Sequence, residues 1–443
     1  MTHFGAICPA ATGHLNTMTA LGRELLRRGH RVTYLGMADA EPNVRAAGLE
    51  FRAISASEYP PGAMAKLHER LGELSGLAAL QYTTNLSVKT TTFFLQDAPL
   101  VIKEAGIEAL VFDEGIFGGS TLADFLNIPF VTACSALVNG FEDSIPPYFT
   151  TWKYNPDWWA RLRNRAGYAV LNAFSKPIRD IVSQYRRQWN LPLCSNINDY
   201  YSVSKLAIIS QQPPEFEYPR RELADILHFT GPHSDSAARK PVDFPFEKLN
   251  GQPLIYASMG TLQNRLQHIF YQIAEACVDL DAQLVISLGG GLEPEALPNL
   301  PGNPLVVKYA PQLELLQKAS LTITHAGMNT TMESLSNGVP LVAIPITNDQ
   351  LGVAARIAWT GAGQLITTSR LNISRLRQAI QKVLTQESYK QNAVRLQSAI
   401  RQAGGVPRAV DIIEQAISTN KPVINDIVSV HQTKIFDKNK YKL

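Results

Sequence analysis

The stretch Leu321-Thr-Ile-Thr-His-Ala-Gly-Met-Asn-Thr-Thr-Met-Glu333 decides the fold of this chain. Its first four residues are apolar or β-branched and predict a short buried strand. Gly327 allows a sharp backbone turn after that strand, and the polar residues behind it predict a helix that Gly338 ends. A strand that turns directly into a helix is typical of a parallel α/β sheet, and the unpaired N–H groups at such a helix start favour a phosphate.

Side chains around this unit are suited to a nucleotide-sugar. His325 adds a ring N–H at the phosphate position, and Glu333, two turns into the helix, could accept hydrogen bonds from ribose hydroxyls. Asp349 and Gln350 open the next predicted helix, and both can bond the vicinal hydroxyls of a sugar. Tyr309 offers a flat ring on which a base could stack.

The spacing resembles the nucleotide-sugar signature of the family 1 glycosyltransferases, the UDP-glycosyltransferase superfamily. The resemblance rests on an aromatic-x-Pro-Gln segment at 309–312, a His-x-Gly-x-Asn-Thr segment at 325–330, a glutamate eight residues after the histidine, and Asp-Gln at 349–350. A Ser-Met-Gly-Thr turn at 258–261 resembles a further phosphate-binding turn of that family. The residues that the resemblance assigns to donor binding are Thr261, Tyr309, Gln312, His325, Gly327, Asn329, Thr330, Glu333, Asp349, Gln350 and, near the donor sugar, Ser135.

The first strand and the turn behind it carry the candidate base. His14 follows the predicted strand Phe4–Cys8, and Asp113 follows the predicted strand Ala109–Phe112, so both lie at the carboxyl edge of a parallel sheet, where such folds bind ligands. The resemblance implies that His14 is the catalytic base and Asp113 its acidic partner. The alternatives are a capping role for the histidine and a turn-capping role for the carboxylate.

Length and composition exclude several classes of protein. The 443 residues suggest two or three domains, and the net charge of +3 gives no electrostatic reason to expect a nucleic-acid partner. Four scattered cysteines predict buried free thiols in a reducing compartment. The N-terminus lacks the pattern of a signal peptide, and no apolar run is long enough to span a membrane. We therefore expect a cytoplasmic protein.

The alternation of strands and helices restarts near the middle of the chain. It predicts two doubly wound Rossmann-like domains, and the resemblance implies that they face a cleft, in the architecture called GT-B, with a last helix that crosses back. The predicted boundaries are an acceptor-binding domain at 1–210, a linker at 211–250, a nucleotide-sugar domain at 251–405, a helix crossing back to the first domain at 406–418, and a loosely held tail at 419–443. Residues 141–190 are aromatic and basic and predict helical structure.

Two further segments allow more than one interpretation. Asp279-Leu-Asp281 spells a metal–diphosphate motif of another glycosyltransferase fold, but its place between a helix and a strand favours a turn. We therefore expect no obligatory metal and no other cofactor, with the positive charge for the leaving diphosphate coming from the helix dipole, His325 and backbone donors. The aromatic run 146–159 and the arginines behind it indicate either peripheral contact with a membrane surface or a packed lid.

The resemblance implies an inverting glycosyltransferase that moves a hexose, with UDP-glucose as the first choice of donor, to a hydroxyl of an apolar small molecule. A carotenoid or terpenoid acceptor is the first hypothesis, because the segment Phe216-Glu-Tyr-Pro-Arg-Arg221 leans toward the carotenoid type. A polyketide, macrolide, flavonoid or other phenolic is the second. A UDP-sugar 2-epimerase and an inactive partner protein are the rivals from other classes. We expect the protein to act as a monomer.

Overall fold

The computed structural model describes residues 1–425 apart from 75, 139, 196, 221–224, 236, 238, 240 and 263. Within them the strands form two sheets, and every pairing is parallel. The first sheet contains β1 His3–Ile7, β2 Arg31–Gly36, β3 Glu50–Ala53, β4 Ala109–Asp113, β5 Phe130–Cys134, β6 Ile208–Ser210 and β7 Leu227–Phe229. The second contains β8 Leu254–Ser258, β9 Gln283–Ser287, β10 Leu305–Val307, β11 Ala319–Thr324, β12 Leu341–Ala343 and β13 Gly363–Leu365.

Helices connect most of these strands. Those of the first half are α1 Thr12–Arg27, α2 Glu41–Ala46, α3 Ala63–Gly72, α4 Gly76–Ala105, α5 Gly119–Leu126 and α6 Trp158–Gln188. Those of the second half are α7 Gln267–Cys277, α8 Gln312–Leu316, α9 Met328–Ser336, α10 Gln350–Trp359, α11 Ile373–Thr385, α12 Glu387–Ala403 and α13 Gly405–Thr419. Short 3₁₀ turns occupy Ala38–Ala40, Ile197–Tyr200, Pro214–Phe216, Phe246–Lys248, Pro294–Ala296 and Thr368–Arg370.

Strand order places the site. The first sheet runs β3-β2-β1-β4-β5-β6-β7 and the second runs β10-β9-β8-β11-β12-β13. The order reverses between β1 and β4 in one sheet and between β8 and β11 in the other, and a crevice opens at such a reversal beyond the carboxyl ends of the strands. The predicted fold of two doubly wound domains is therefore confirmed.

The last helix returns to the first domain. Val410 and Ile413 of α13 are buried in the same core as Leu21 and Leu25 of α1. Arg28 Nη1 donates to Asp411 and to Glu414, each at 2.7 Å. Since burying side chains of this size removes apolar surface from water, α13 stabilises the first domain although it follows the second in the chain.

Several predicted boundaries need correction. Helix α1 begins at Thr12, so His14, expected in the turn after β1, lies in the first turn of that helix. Residues 141–157 are not helical, and α6 begins at Trp158. The range 211–250 is not simply a linker, because β7 within it pairs with β6 and extends the first sheet beyond residue 210. Strands this short carry too little periodicity to be recognised in the sequence.

The predicted tail is held at its start. Val423 is buried, its N–H donates to the Leu206 carbonyl at 2.8 Å, and the Asn425 N–H donates to the Asp225 carbonyl at 2.7 Å. Residues 426–443, the rest of that range, lie outside the described residues. None of the described helices is both long enough and apolar enough to cross a membrane.

Candidate active site

A histidine and an aspartate meet where β1 and β4 end. His14 Nδ1 lies 2.9 Å from Asp113 Oδ1 and 2.9 Å from Oδ2. Asp113 is fully buried, whereas the His14 side chain keeps 26% of its surface exposed. A carboxylate only accepts, so Nδ1 carries the proton, and in the neutral ring Nε2 is left with a lone pair. The two residues that the resemblance paired therefore lie in contact, in a geometry suited to a base and its orienting partner.

The turn after β4 explains how the two residues come so close. The Gly115 N–H donates to Asp113 Oδ1 at 2.8 Å. A Cβ at Gly115 would lie 2.9 Å from Asp113 Oδ1 and 3.5 Å from His14 Cε1. Only glycine leaves room for the carboxylate and the imidazole at this point.

Ser135, which the resemblance assigns to the neighbourhood of the donor sugar, is hydrogen-bonded to two acidic residues. Its Oγ donates to Asp113 Oδ2 at 2.5 Å. Its backbone N–H donates to Glu114 at 2.7 Å, and that of Ala136 donates to the same carboxylate at 2.6 Å. In this structure Ser135 thus orients Asp113. Sequence reasoning missed Glu114, and the available signal was a second acidic residue directly after a buried strand.

The charges at this site oppose the effect of burial. Burial alone would lower the pKa of His14, but the charge of Asp113 and its hydrogen bond, with a smaller contribution from Glu114, raise that pKa to about 9. Burial and the neighbouring Asp113 raise the pKa of Glu114 well above its usual range. At neutral pH His14 is therefore mostly protonated in this state.

On the other side of the crevice, His325 follows β11 and is packed between glycines. Cβ atoms on Gly260 and Gly327 would each lie 2.5 Å from its ring. Burial lowers the pKa of His325 to about 4, a shift that a hydrogen bond with the Ser258 backbone only partly offsets. The ring is neutral and offers an N–H beside the start of α9. Burial therefore favours the neutral ring in this state, and sequence alone does not reveal how completely the ring is desolvated.

Glu333 lies at the centre of a polar network under the donor face. Gln312 Nε2 donates to Glu333 Oε2 at 2.6 Å, and Tyr256 donates to Gln312 Oε1 at 3.0 Å. Arg239 donates to both oxygens of the Glu333 carboxylate, at 3.3 Å for the longer contact. Glu333 is only 3% exposed. Arg239, which lies in the segment before β8, was missed because no motif marks it.

The first turn of α9 also contacts the other domain. Asn329 Nδ2 donates to the Gly13 carbonyl at 2.8 Å, and Asn329 Oδ1 accepts from Gln211 Nε2 at 2.7 Å. Thr330 Oγ1 is buried and accepts from Gln312 at 3.4 Å. Asn329, assigned from sequence to donor binding, here holds the donor helix against the turn that carries His14.

The start of α10 faces the same crevice. Burial raises the pKa of Asp349 above its usual value, and the positive charge of His14 only partly offsets this rise. Gln350 Oε1 accepts from the N–H groups of Ile346 and Thr347, at 3.0 and 3.1 Å. Its carbonyl oxygen therefore shapes the loop before α10 instead of pointing only toward a sugar.

Two of the predicted donor residues lie on the surface of the crevice. Tyr309 is 48% exposed, and its hydroxyl lies over Gly290, where a Cβ would approach it to 1.9 Å. An exposed ring of this kind leaves one face open for a base. Thr261 is exposed just after Gly260.

A cavity lies beside the acidic residues of the first domain. Glu114, Cys134, Arg220 and Arg356 lie on its wall, and much of the rest is aromatic or aliphatic. The aromatic lining residues are Phe141, Tyr148, Tyr168 and Tyr201. The enclosed space is only about 50 Å³, so in this state it has room for a small apolar group and not for a whole lipophilic molecule.

Two groups of side chains contain atoms that could bind a metal ion. His14, Asp113 and Glu114 bring ligand atoms within 4.8 Å of one another. Their oxygens already accept hydrogen bonds from the imidazole, Ser135 and the backbone, so the spacing reflects the His–Asp pair. Asp279 has φ +64° in the turn before β9, at the amino edge of the second sheet. The Asp-x-Asp segment thus lies at the edge opposite to the donor residues.

Comparison with known proteins gives consistent matches along most of the chain. The sequence profile of the family described as UDP-glucoronosyl and UDP-glucosyl transferase matches residues 6–414. Two zeaxanthin glucosyltransferases are each 29% identical to the chain. That of Pantoea ananas aligns over 96% of this chain and 98% of its own length, and that of Pseudescherichia vulneris over 96% and 100%. Among solved structures, the glycotransferase of kitacinnamycin superposes with a TM-score of 0.72 at 21% identity, covering 94% of this chain and 98% of its own.

Proposed function

The chain belongs to the UDP-glucoronosyl and UDP-glucosyl transferase family and is a glycosyltransferase, and on that premise we propose that it transfers glucose from UDP-glucose, with inversion, to a hydroxyl of a carotenoid or another terpenoid. The observation that carries the proposal is the His14–Asp113 pair at 2.9 Å, placed across the crevice from the start of α9. A base there and a phosphate site opposite are the two groups that direct glycosyl transfer requires.

The transfer runs in one displacement. His14 Nε2 takes the proton of the acceptor hydroxyl while the acceptor oxygen bonds to the anomeric carbon, and the bond from that carbon to the diphosphate breaks. Asp113 accepts the Nδ1 hydrogen bond and stabilises the imidazolium that forms. Attack from the face opposite an α-linked diphosphate gives a β-glycoside.

The leaving diphosphate is received by the second domain. The first N–H groups of α9 and the neutral ring of His325 offer hydrogen bonds there, and the partial positive charge of the helix start favours the product anion. These donors belong to the chain itself, so we propose that neither a resident metal nor another cofactor is needed.

The remaining donor contacts follow from position. Tyr309 stacks on uracil, Glu333 accepts from the ribose hydroxyls, and Asp349 binds the hexose hydroxyls near His14. The pairing of Glu333 with Arg239 means that ribose competes with a guanidinium for the carboxylate, so donor binding displaces Arg239 from at least one oxygen. A charge-assisted contact exchanged in this way is worth about 1.5–3 kcal/mol.

The acceptor class is supported by two independent features. The cavity beside Glu114 has an aromatic wall, and two relatives that align along nearly the whole chain are zeaxanthin glucosyltransferases. We propose that only the end of the acceptor that carries the hydroxyl lies against this wall, with the hydroxyl at His14 and the rest of the apolar body in the crevice. We further propose that the enzyme acts as a monomer, since one chain supplies every group in this mechanism.

The experiment is incubation of the purified protein with UDP-glucose and an acceptor panel that includes zeaxanthin, a macrolide aglycone and a flavonoid, with product masses as the readout. We expect each product to gain the mass of one hexose per modified hydroxyl, and the carotenoid to give the highest yield. The anomeric proton should show the coupling of a β-glycoside by NMR. Epimerised UDP-sugar without acceptor, or no product with any acceptor, would contradict the proposal.

A further inference from the structure

Helix α6 has two apolar faces instead of one. Its inner face is buried against the first domain through Ala160, Gly167, Leu171, Ile178 and Val182. Its outer face carries Trp158, Leu162 and Val170, which are 77%, 60% and 51% exposed. Steps of three or four residues lie on one side of a helix, and a surface helix normally presents polar residues there. The exposed alanines 166, 169 and 173 continue the same face. We call this surface the outer α6 stripe.

Positive charge surrounds the beginning of the outer α6 stripe. The first 16 residues of α6, 158–173, contain three arginines and no acidic residue. Arg163 lies over the rings of Trp152 and Trp159, at 4.8 and 5.5 Å from their centres. Arg161 and Arg165 share Asp143, and Arg165 remains 65% exposed. With Lys153, these three arginines are accompanied by three acidic residues, Glu142, Asp143 and Asp157, so the charge balance of four against three is +1, and Glu142 is buried.

The same helix lines the acceptor cavity. Tyr168 and Leu171 of α6 lie on its wall, and the Tyr168 hydroxyl donates to the carbonyls of Gly140 and Ile145, at 3.3 and 3.2 Å. One side of α6 therefore contacts the cavity while the other side exposes indole rings and a leucine. Indole rings favour the headgroup level of a bilayer, and arginines bond phosphates there.

We propose that the outer α6 stripe binds the surface of an anionic phospholipid bilayer, with α6 lying parallel to it. Trp158 and Leu162 enter the headgroup region, while Arg163, Arg165 and Lys153 contact lipid phosphates. The charge balance favours a lipid surface over a second copy of this chain, because like charges would meet in a symmetric contact. Binding to lipid is independent of the proposed function; only the delivery of an apolar acceptor from the bilayer to the cavity rests on it.

The test is flotation of the full-length protein with vesicles of phosphatidylcholine alone and of phosphatidylcholine mixed with phosphatidylglycerol. The wild type should float with the mixed vesicles, and high salt should weaken binding because the charges are exposed. Replacing Trp158→Ser together with Leu162→Ser should lower the partition coefficient by about tenfold or more, since each buried side chain contributes on the order of a tenfold change. The matched control, Leu77→Ser with Leu100→Ser on α4, changes two leucines that are 66% and 62% exposed and should float as the wild type does.

Three results would overturn the proposal: no flotation of the wild type, equal flotation of the two double variants, or a dimer in solution that only the Trp158 and Leu162 changes dissociate. The last would identify the stripe as an interface between copies. Transfer to a water-soluble acceptor should be unchanged in both double variants, because none of the four residues lies in the catalytic site. Flotation without any transferase activity would contradict the proposed function and leave the lipid surface supported.

Discussion

Asn329 donates a 2.8 Å hydrogen bond across the crevice to the carbonyl oxygen of Gly13, the residue before the candidate base His14. The donor helix and the base-bearing turn are therefore held in register by a side chain rather than by the chain connection alone. Gln211, which donates to Asn329 Oδ1 at 2.7 Å, fixes the orientation of that amide. A displacement of about 1 Å between a base and its substrate can cost on the order of a hundredfold in rate, so this bond bears on catalysis.

The first prediction concerns this link. Asn329→Ala removes both hydrogen bonds, each worth about 0.5–1.5 kcal/mol, and should lower kcat/KM by roughly 5- to 150-fold. Steady-state kinetics with UDP-glucose measure it. Asn392→Ala, which removes an amide bonded within the second domain, is the control and should leave kcat/KM unchanged. Equal rates for wild type and Asn329→Ala would mean that the interdomain bond does not position the base.

The second prediction concerns the base itself. His14→Ala should reduce transfer by about 10²–10⁴-fold, which is the usual contribution of general-base catalysis. UDP binding, measured by calorimetry, should stay close to that of the wild type, because His14 lies across the crevice from α9. His268→Ala changes an exposed histidine and serves as the control. A His14→Ala enzyme with the wild-type rate on an ordinary alcohol would contradict the dyad.

These expectations show what the sequence could and could not supply. The sequence could predict which residues lie near the site from the strand ends and from the spacing in 309–350, because parallel strands place their carboxyl ends at one edge of the sheet. Glu114 and Arg239 were not, since no periodicity or motif marks a residue whose role depends on a partner far away in the chain. The true setting of Ser135, bonded to Asp113, depends on the adjacency of β4 and β5, which only the folded sheet shows.

The third prediction concerns metal removal. The Asp279–Asp281 turn lies at the amino edge of the second sheet, whereas α9 begins at the carboxyl edge, so we expect the turn not to contact the diphosphate. Activity should therefore survive excess EDTA, followed by desalting and assay without divalent ions. Complete loss on chelation with recovery on adding Mg²⁺ or Mn²⁺ would contradict the prediction.

The fourth prediction separates the two acidic donor contacts. Glu333→Ala should raise the donor KM by roughly 10- to 150-fold for all UDP-sugars, because ribose is common to them and a contact to a charged group is worth about 1.5–3 kcal/mol. Asp349→Ala should instead change the preference among UDP-glucose, UDP-galactose and UDP-N-acetylglucosamine. Competition assays with both variants measure it.

A matched variant resolves the role of Arg239 in the same assay. Arg239→Gln removes the guanidinium that competes with ribose for Glu333, so it should lower the donor KM or leave it unchanged, whereas Glu333→Ala raises it. A strong rise in KM for Arg239→Gln would show instead that Arg239 itself holds the nucleotide. Unaltered sugar selectivity in Asp349→Ala would mean that the hexose is recognised elsewhere.

The fifth prediction follows from the His14 pKa of about 9. A general base must be unprotonated, so kcat/KM should rise with pH up to about 9. Asp113→Asn removes the negative charge that raises this pKa and replaces one acceptor oxygen with an NH₂ donor. The rising limb should therefore move to lower pH, while its plateau falls by about 10²–10⁴-fold because the imidazolium is no longer stabilised.

The thermal stability of the protein should fall over the pH range in which kcat/KM rises. The folded pKa of His14 lies above its ordinary value of 6.5, so protonated His14 stabilises the native state fully below pH 6.5, and that contribution is lost as pH rises through about 9. The Tm of the wild type should thus decline across this window more steeply than that of Asp113→Asn, which lacks the linkage. Differential scanning calorimetry at intervals between the two pH values measures both slopes. Parallel declines in the two proteins would mean that Asp113 does not hold the proton on His14, and the rising limb of the rate profile would then belong to another group.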